Sequence, residues 1–190
     1  MSFVSCALKH YLRKRNDEQE TINMLLPFSL RQLPKTKHDH VLNNDVSSIC
    51  FSLPLRATFE GAIRDVSMQT RALKNSWTPF GNHAMQLVIA ACPPWLAQAI
   101  IYWLSNKATV ILSSVPGIKT GYKYDGCEST GVIALLPGIC DISFGISAAS
   151  MRGRLYMAIT ADEVMVENPS EISILIEQYY DEQLALINKM

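Results

Sequence analysis

The run AMQLVIAACPPWLAQAIIYWLSNKATVILSSVPG, Ala84 to Gly117, decides how this chain folds. From Ala84 to Leu104 it carries no charge, which matches the roughly 20 apolar residues that cross a bilayer. Cys92-Pro93-Pro94-Trp95 interrupts its middle, and adjacent prolines would strand unpaired carbonyls in hydrocarbon. Gln86 and Gln98 fall inside it, and no basic cluster sits just outside either end. The residues therefore favour two shorter helices, about His83 to Ala91 and Pro94 to Leu104. Both are expected to be buried against a sheet or around an apolar cavity. A strand, VILSS, comes next and runs into Val115-Pro116-Gly117.

Working outward, Val4, Leu8, Tyr11 and Leu12 in the N-terminal stretch make one face of an amphipathic helix. Its basic residues come after the apolar ones, the reverse of a secretory signal, although Lys9, Arg13, Lys14 and Arg15 have a mitochondrial-leader flavour. Thr21 to Arg31 suggests a buried strand that Pro27 helps to end, and Gln32 to Asn44 an exposed loop. Val46, Ile49, Phe51 and Leu53 mark a second strand closed by Pro54. Phe59, Ile63, Val66, Ala72 and Leu73 then mark a surface helix.

Beyond the opening run, IKTGYKYDGCE and GVIALLPG look like further strands. Cys140 to Glu163 reads as a hairpin turning at Arg152-Gly153, with Ile142, Phe144, Ile146 and Ala148 alternating before the turn and Leu155, Met157 and Ile159 after it. The last element is a long helix. Asn168 can cap it, Pro169 takes its first position and Glu171 completes a capping box. Ile172, Leu175, Ile176, Tyr179 and Leu186 line one face.

The 190 residues suit one domain with a sizeable core. Lys plus Arg, at 17, balances Asp plus Glu, at 17, so no global field draws in nucleic acid. Five cysteines, an odd number without C-x-x-C spacing, argue against a disulfide framework or zinc site; most read as small buried hydrophobes in a reducing compartment.

Catalytic motifs are sparse. His38-Asp39-His40 is a polar loop without a third ligand placed nearby, so no metal is expected. No G-x-S-x-G elbow or phosphate loop is present, and Cys127 and Cys140 have no histidine close in sequence.

Taken in order, the pieces resemble the C-terminal half of wax ester synthase/diacylglycerol acyltransferases. Leu26-Pro27-Phe28-Ser29-Leu30-Arg31 is similar to that family's "vPvSLR" strand, and Asn43-Asn44 through Leu53-Pro54 to its "GN … LP" strand. Ser113-Ser114-Val115-Pro116-Gly117 resembles "SNVPGP", with Ser114 in place of Asn and Ile118 in place of the last Pro. Ser150-Met151-Arg152-Gly153 resembles "SYxG", with Met151 in place of Tyr, and Ala161-Asp162 comes after it like the family's "aD".

The resemblance implies an α/β fold: a mixed β-sheet flanked by helices, one lobe of the two-lobed chloramphenicol-acetyltransferase-like architecture. Residues 1–20 would be an inter-lobe helix and 21–190 the lobe proper. It implies acyl transfer from acyl-CoA, as substrate and not cofactor, to a fatty alcohol or diacylglycerol. The family's base lies in a His-His-x-x-x-Asp-Gly motif of the N-terminal half, and no residue here matches it. The chain alone is therefore expected to be inactive, with Ser113, Ser114, Val115, Pro116 and Gly117 shaping an inter-lobe tunnel. An N-terminal lobe or another subunit is the expected partner, in the cytoplasm, at the surface of an internal membrane or in mitochondria. The alternative is a non-catalytic binding or assembly subunit built on the same lobe.

Overall fold

A computed structural model describes all residues except 32–44, 116, 118–119, 139–140, 143 and 189–190. Helix α1 (Ser2–Arg13) leads into β1 (Thr21–Ser29) and β2 (Val46–Pro54). Helices α2 (Phe59–Lys74), α3 (Thr78–Ala90) and α4 (Pro94–Ser105) come next. Then come β3 (Val110–Val115), the short β4 (Lys123–Tyr124) and β5 (Cys127–Glu128), β6 (Phe144–Met151), β7 (Arg154–Ala161) and α5 (Pro169–Ile187).

The main sheet has the order β2-β1-β3-β6-β7. Its three central strands, β1, β3 and β6, are parallel, and the edge strands β2 and β7 run antiparallel to their neighbours. This is the mixed sheet with flanking helices that the resemblance implied.

Alternation along the strands sorts the side chains between two faces. Met24, Phe51, Leu53, Val110, Leu112, Phe144 and Ile146 point to one face and are buried there. Val4, Ala7 and Leu8 of α1, Val66 of α2, and Ile172, Leu175 and Ile176 of α5 close over them. Polar ties fix α1 in place. The Ser5 hydroxyl donates to the Pro54 carbonyl at 2.6 Å, and the Lys9 ammonium donates to the Gln19 carbonyl at 2.7 Å. The opposite sheet face holds a smaller cluster of Ala108, Ile111 and Ile142, with Leu25 and Leu136 packed against it.

Several expectations need correction. Pro27 does not end β1: it sits inside the ladder opposite Ser48. β3 is in register with β1 only at Met24 and Leu25, so beyond them that side of β1 asks no N–H of a proline. Ile63 of α2 is exposed, and Ala62 and Val66 supply its buried side. Gly131 to Gly138 forms no strand.

At α5, Asn168 and Pro169 stand where expected, but no side-chain cap bond forms. Glu171 instead accepts from Lys14 at 2.6 Å and Arg15 at 3.2 Å, tying α5 to the end of α1. The hydrogen bond from Lys14, reinforced by Arg15, outweighs partial desolvation and holds the Glu171 carboxyl below the usual range. Leu186 lies beyond the core and is exposed. Of the described cysteines only Cys6 is buried, which pushes its thiol up to about 11, while Cys50 and Cys127 are exposed.

The opening run breaks at Ala91 to Pro93, as its prolines require, and no helix among the described residues is long and apolar enough to cross a membrane. The two helices are not buried, however. α4 has no buried residue, and among the described side chains of α3 only Ile89 is in the core. α3 lies along β2, where the Asn82 amide donates to the Ser48 carbonyl at 2.9 Å and the Gln86 amide to the Ser48 hydroxyl at 3.3 Å.

This difference in packing is measurable by chemical denaturation. Ile146→Ala, which empties a fully buried site, should cost about 2–5 kcal/mol. Trp95→Ala, in the outward-facing α4, should change stability by no more than about 0.5 kcal/mol.

Candidate functional site

Because β3 and β6 are parallel, their carboxyl ends emerge side by side, where open sheets commonly take ligands. Exposure rises steadily along β3. Val110, Ile111 and Leu112 are buried, Ser113 is half-buried, and Ser114 and Val115 face solvent. Apolar burial anchors the start of the strand, while Ser113 to Val115 stay paired with Ser147 to Ala149 of β6 and run past the pairing with β1 as an exposed, rigid arm of the sheet.

A hydrogen bond to β6 fixes the chain at the tip of this arm. The Gly117 N–H donates to the Ser150 hydroxyl at 3.0 Å. A Cβ built on Gly117 would lie 1.3 Å from the Ser150 carbonyl oxygen, so no other residue fits this approach. Two stretches singled out in the sequence, Ser113 to Gly117 and Ser150 to Gly153, are thus brought into direct contact. Pro116 lies outside the described residues.

β6 reverses into β7 through a two-residue turn at Arg152-Gly153, closed by the Met151–Arg154 pair. Both turn residues have positive φ, 51° and 76°, as the hairpin twist demands. That conformation is costly for arginine, and the guanidinium makes compensating contacts. It donates to the Glu128 carboxylate at 3.0 Å and to the Thr120 carbonyl at 3.3 Å. Hydrogen bonds to Glu128, the one from Arg152 above all and then that from Lys123, hold its carboxyl below the ordinary range. The β4–β5 hairpin is thereby tied to the β6–β7 turn.

Residues 129–138 continue from that hairpin across the second face of the sheet. The Tyr156 hydroxyl donates to the Thr130 carbonyl at 2.9 Å, and the Ser147 hydroxyl donates to the Ala134 carbonyl. Gly145 leaves room there, since a Cβ on it would meet Leu136 at 3.3 Å and the Thr160 hydroxyl at 2.5 Å. A hollow of about 630 Å³ opens beside this strap, lined by Ile111, Gly138, Asp141, Gly145, Thr160 and Asp162 among others.

The described groups around the loop are hydroxyls, a guanidinium and a carboxylate already paired with it. This set can shape a passage and donate hydrogen bonds. Of the described histidines, His10 is exposed on α1 and His83 lies beside β2, 3.7 Å from the Asp45 carboxylate. His38 and His40, and with them the HDH motif, lie outside the described residues. No group of three metal-ligating side chains occurs among the described residues.

The family model described as the WS/DGAT C-terminal domain matches residues 42–183. The chain belongs to that family. The match runs from just before β2 to well inside α5, and so takes in both the Ser113–Gly117 arm and the β6–β7 turn. Among solved structures, a wax ester synthase/diacylglycerol acyltransferase from Marinobacter aquaeolei VT8 aligns at TM-score 0.51 and 14% identity, over 93% of this chain. The epimerization domain of tyrocidine synthetase B aligns at 0.57 and 11% over 93%, and the PapA2 acyl transferase at 0.52 and 10% over 95%. At such identities the likeness is one of fold. This chain spans only about two-fifths of each of those structures, 39%, 40% and 38% respectively. No curated protein sequence matches the chain.

Sequence reasoning missed the Arg152–Glu128–Thr120 tie and the Gly117–Ser150 contact. The Arg-Gly pair between two alternating runs was a signal for the turn, whereas a contact 33 residues apart left none in the local pattern.

The clasp can be tested by thermal or urea unfolding. Gly117→Ala should cost about 1–3 kcal/mol, because the added methyl forces two backbones apart. Ser150→Ala, which removes only the hydroxyl acceptor, should cost about 0.5–1.5 kcal/mol.

Proposed function

We propose that this chain serves as the C-terminal lobe of an O-acyltransferase that moves acyl groups from acyl-CoA to a fatty alcohol or diacylglycerol. The observation that supports this reading is the exposed end of β3, with Gly117 clasped onto Ser150, within a WS/DGAT C-terminal domain. An acyl chain and its thioester need a shaped, partly apolar passage more than they need charges from this lobe. The exposed Val115 and the hydroxyls of Ser113 and Ser114 fit that need. The base that deprotonates the acceptor hydroxyl comes, in this reading, from a His-His-x-x-x-Asp-Gly motif on an N-terminal lobe joined through the region of α1. The exposed thiols of Cys50 and Cys127 suit a reducing, intracellular setting.

A non-catalytic assembly subunit would use the same edge to hold a different partner. It is favoured by Ser114 and Met151, where the sequence departs from the family's Asn and Tyr.

Incubating the purified 190-residue chain with labelled palmitoyl-CoA and either acceptor separates the two. Amide exchange at Ser114 and Gly117 should slow with acyl-CoA while no ester forms. Ester formation by the chain alone would place the base in this lobe and contradict the proposal. Unchanged exchange at saturating acyl-CoA would leave the assembly reading standing in its place.

A further inference from the structure

β7 is an edge strand whose outer side is unpaired. Among the described residues its backbone bonds only to β6, at one end of the five-stranded sheet. Natural edges are commonly blunted by a proline, a lysine, an inward-pointing charge or a bulge. From Leu155 to Ala161, β7 has none of these, and it holds unbroken one-to-one register with β6. The opposite edge strand, β2, carries Pro54 at its end and has α3 packed along it.

The register shows which backbone groups are free. Positive φ at both Arg152 and Gly153 is type I′ geometry, whose closing pair, Met151–Arg154, is hydrogen-bonded. That pair and every second one after it direct their N–H and C=O groups at each other. The N–H and C=O groups of Leu155, Met157 and Ile159 therefore point outward. The same three side chains line a groove of about 600 Å³ beside the edge, with Phe3 of α1. Its other wall is a single stripe of α5: Ser173, Ile176, Glu177, Tyr180 and Asp181. Free backbone groups and an apolar hollow thus share one strip of surface.

The charges along that strip select what fits it. Arg154 is the one cation lining the groove, against the carboxylates of Glu177 and Asp181. Glu171, farther back on α5, is paired with Lys14 and Arg15, whereas Glu177 and Asp181 make no ion pair among the described residues. Arg152 and Asp162, at the two ends of the strand, are engaged with Glu128 and with the Val164 N–H. A second copy added across a two-fold axis would bring its own Glu177 and Asp181 to the same strip, carboxylates against carboxylates. A strand that carries lysine or arginine meets them with opposite charge.

We propose that the free edge of β7 takes an extended, basic segment of a protein partner as an added strand. Its backbone bonds to Leu155, Met157 and Ile159, an apolar side chain enters the groove, and cationic ones reach Glu177 and Asp181. Docking here needs neither acyl donor nor acceptor, so its failure would leave the acyltransferase reading untouched.

Titrating the 190-residue chain with the blocked peptide Thr-Lys-Thr-Val-Thr-Lys-Thr, followed by amide resonances and hydrogen exchange, tests this. Alternation sets Lys, Val and Lys together on the groove face. The peptide should shift the amides of Leu155, Met157 and Ile159 and slow their exchange. A version with Glu in place of Lys, and one N-methylated at its Val, should each bind at least about tenfold more weakly. Glu177→Gln/Asp181→Asn should weaken the lysine peptide about fivefold while keeping its melting temperature, because both side chains are exposed. No change at those amides with millimolar peptide, equal binding of the Glu version, or undiminished binding by the double variant would overturn the proposal. So would sedimentation as a dimer with those amides already protected, because the edge would then belong to a second copy.

Discussion

The meeting of two backbones at Gly117 and Ser150 sets what the sheet's carboxyl edge can be. Six residues of parallel pairing, Val110–Phe144 through Val115–Ala149, bring the end of β3 alongside the end of β6. With the strands so close, the chain leaving β3 has space only for a residue without a side chain, and Gly117 supplies it. That approach determines the other features of the edge. Ser113 to Val115 stay in the ladder as its exposed end, and the β4–β5 hairpin lies where Arg152 can reach Thr120 and Glu128. Arg152's left-handed backbone, unfavourable by itself, is held by those same contacts.

The rest of the molecule divides its surfaces according to this edge. One sheet face is sealed by α1, α2 and α5 around Met24, Leu53, Ile146 and Ile172, and it supplies most of the apolar burial that folds the chain. On the other face α3 lies along β2, and a strap held by Tyr156 and Ser147 crosses the far strands, with a hollow beside Asp141 and Asp162. α3 and α4 add little to the core and keep their apolar side chains outside. A chain of this kind has solved the problem of folding with its first face and kept its remaining apolar surface for contacts beyond itself.

Much of this was legible in the sequence because local chemistry specified it. Alternation fixed the β6–β7 hairpin, and Arg152-Gly153 marked its turn. Pro93-Pro94 dictated the break between α3 and α4, and the order of short motifs pointed to the family and its mixed sheet. What failed did so where tertiary partners outvoted local signals. Glu171 had a capping position but was drawn to Lys14 and Arg15. Pro27 stayed in a strand because β3 pairs with β1 only farther back. The uncharged run was expected inside, since hydropathy alone does not say which side of a helix meets the sheet. The expected site fared similarly. Its residues were named, but their clasp to Ser150 could not be read from either segment alone.

The central claim is that the Ser113–Gly117 arm and the Ser150–Gly153 turn form a contact edge for a second lobe. Hydrogen exchange on the protein purified from its native cells, compared with the recombinant 190-residue chain alone, measures this directly. The account predicts slower exchange in the native form at Ser114, Val115, Gly117 and Met151 to Gly153, with α5 unchanged. Protection confined to α5, with those residues exchanging alike in both forms, would contradict it.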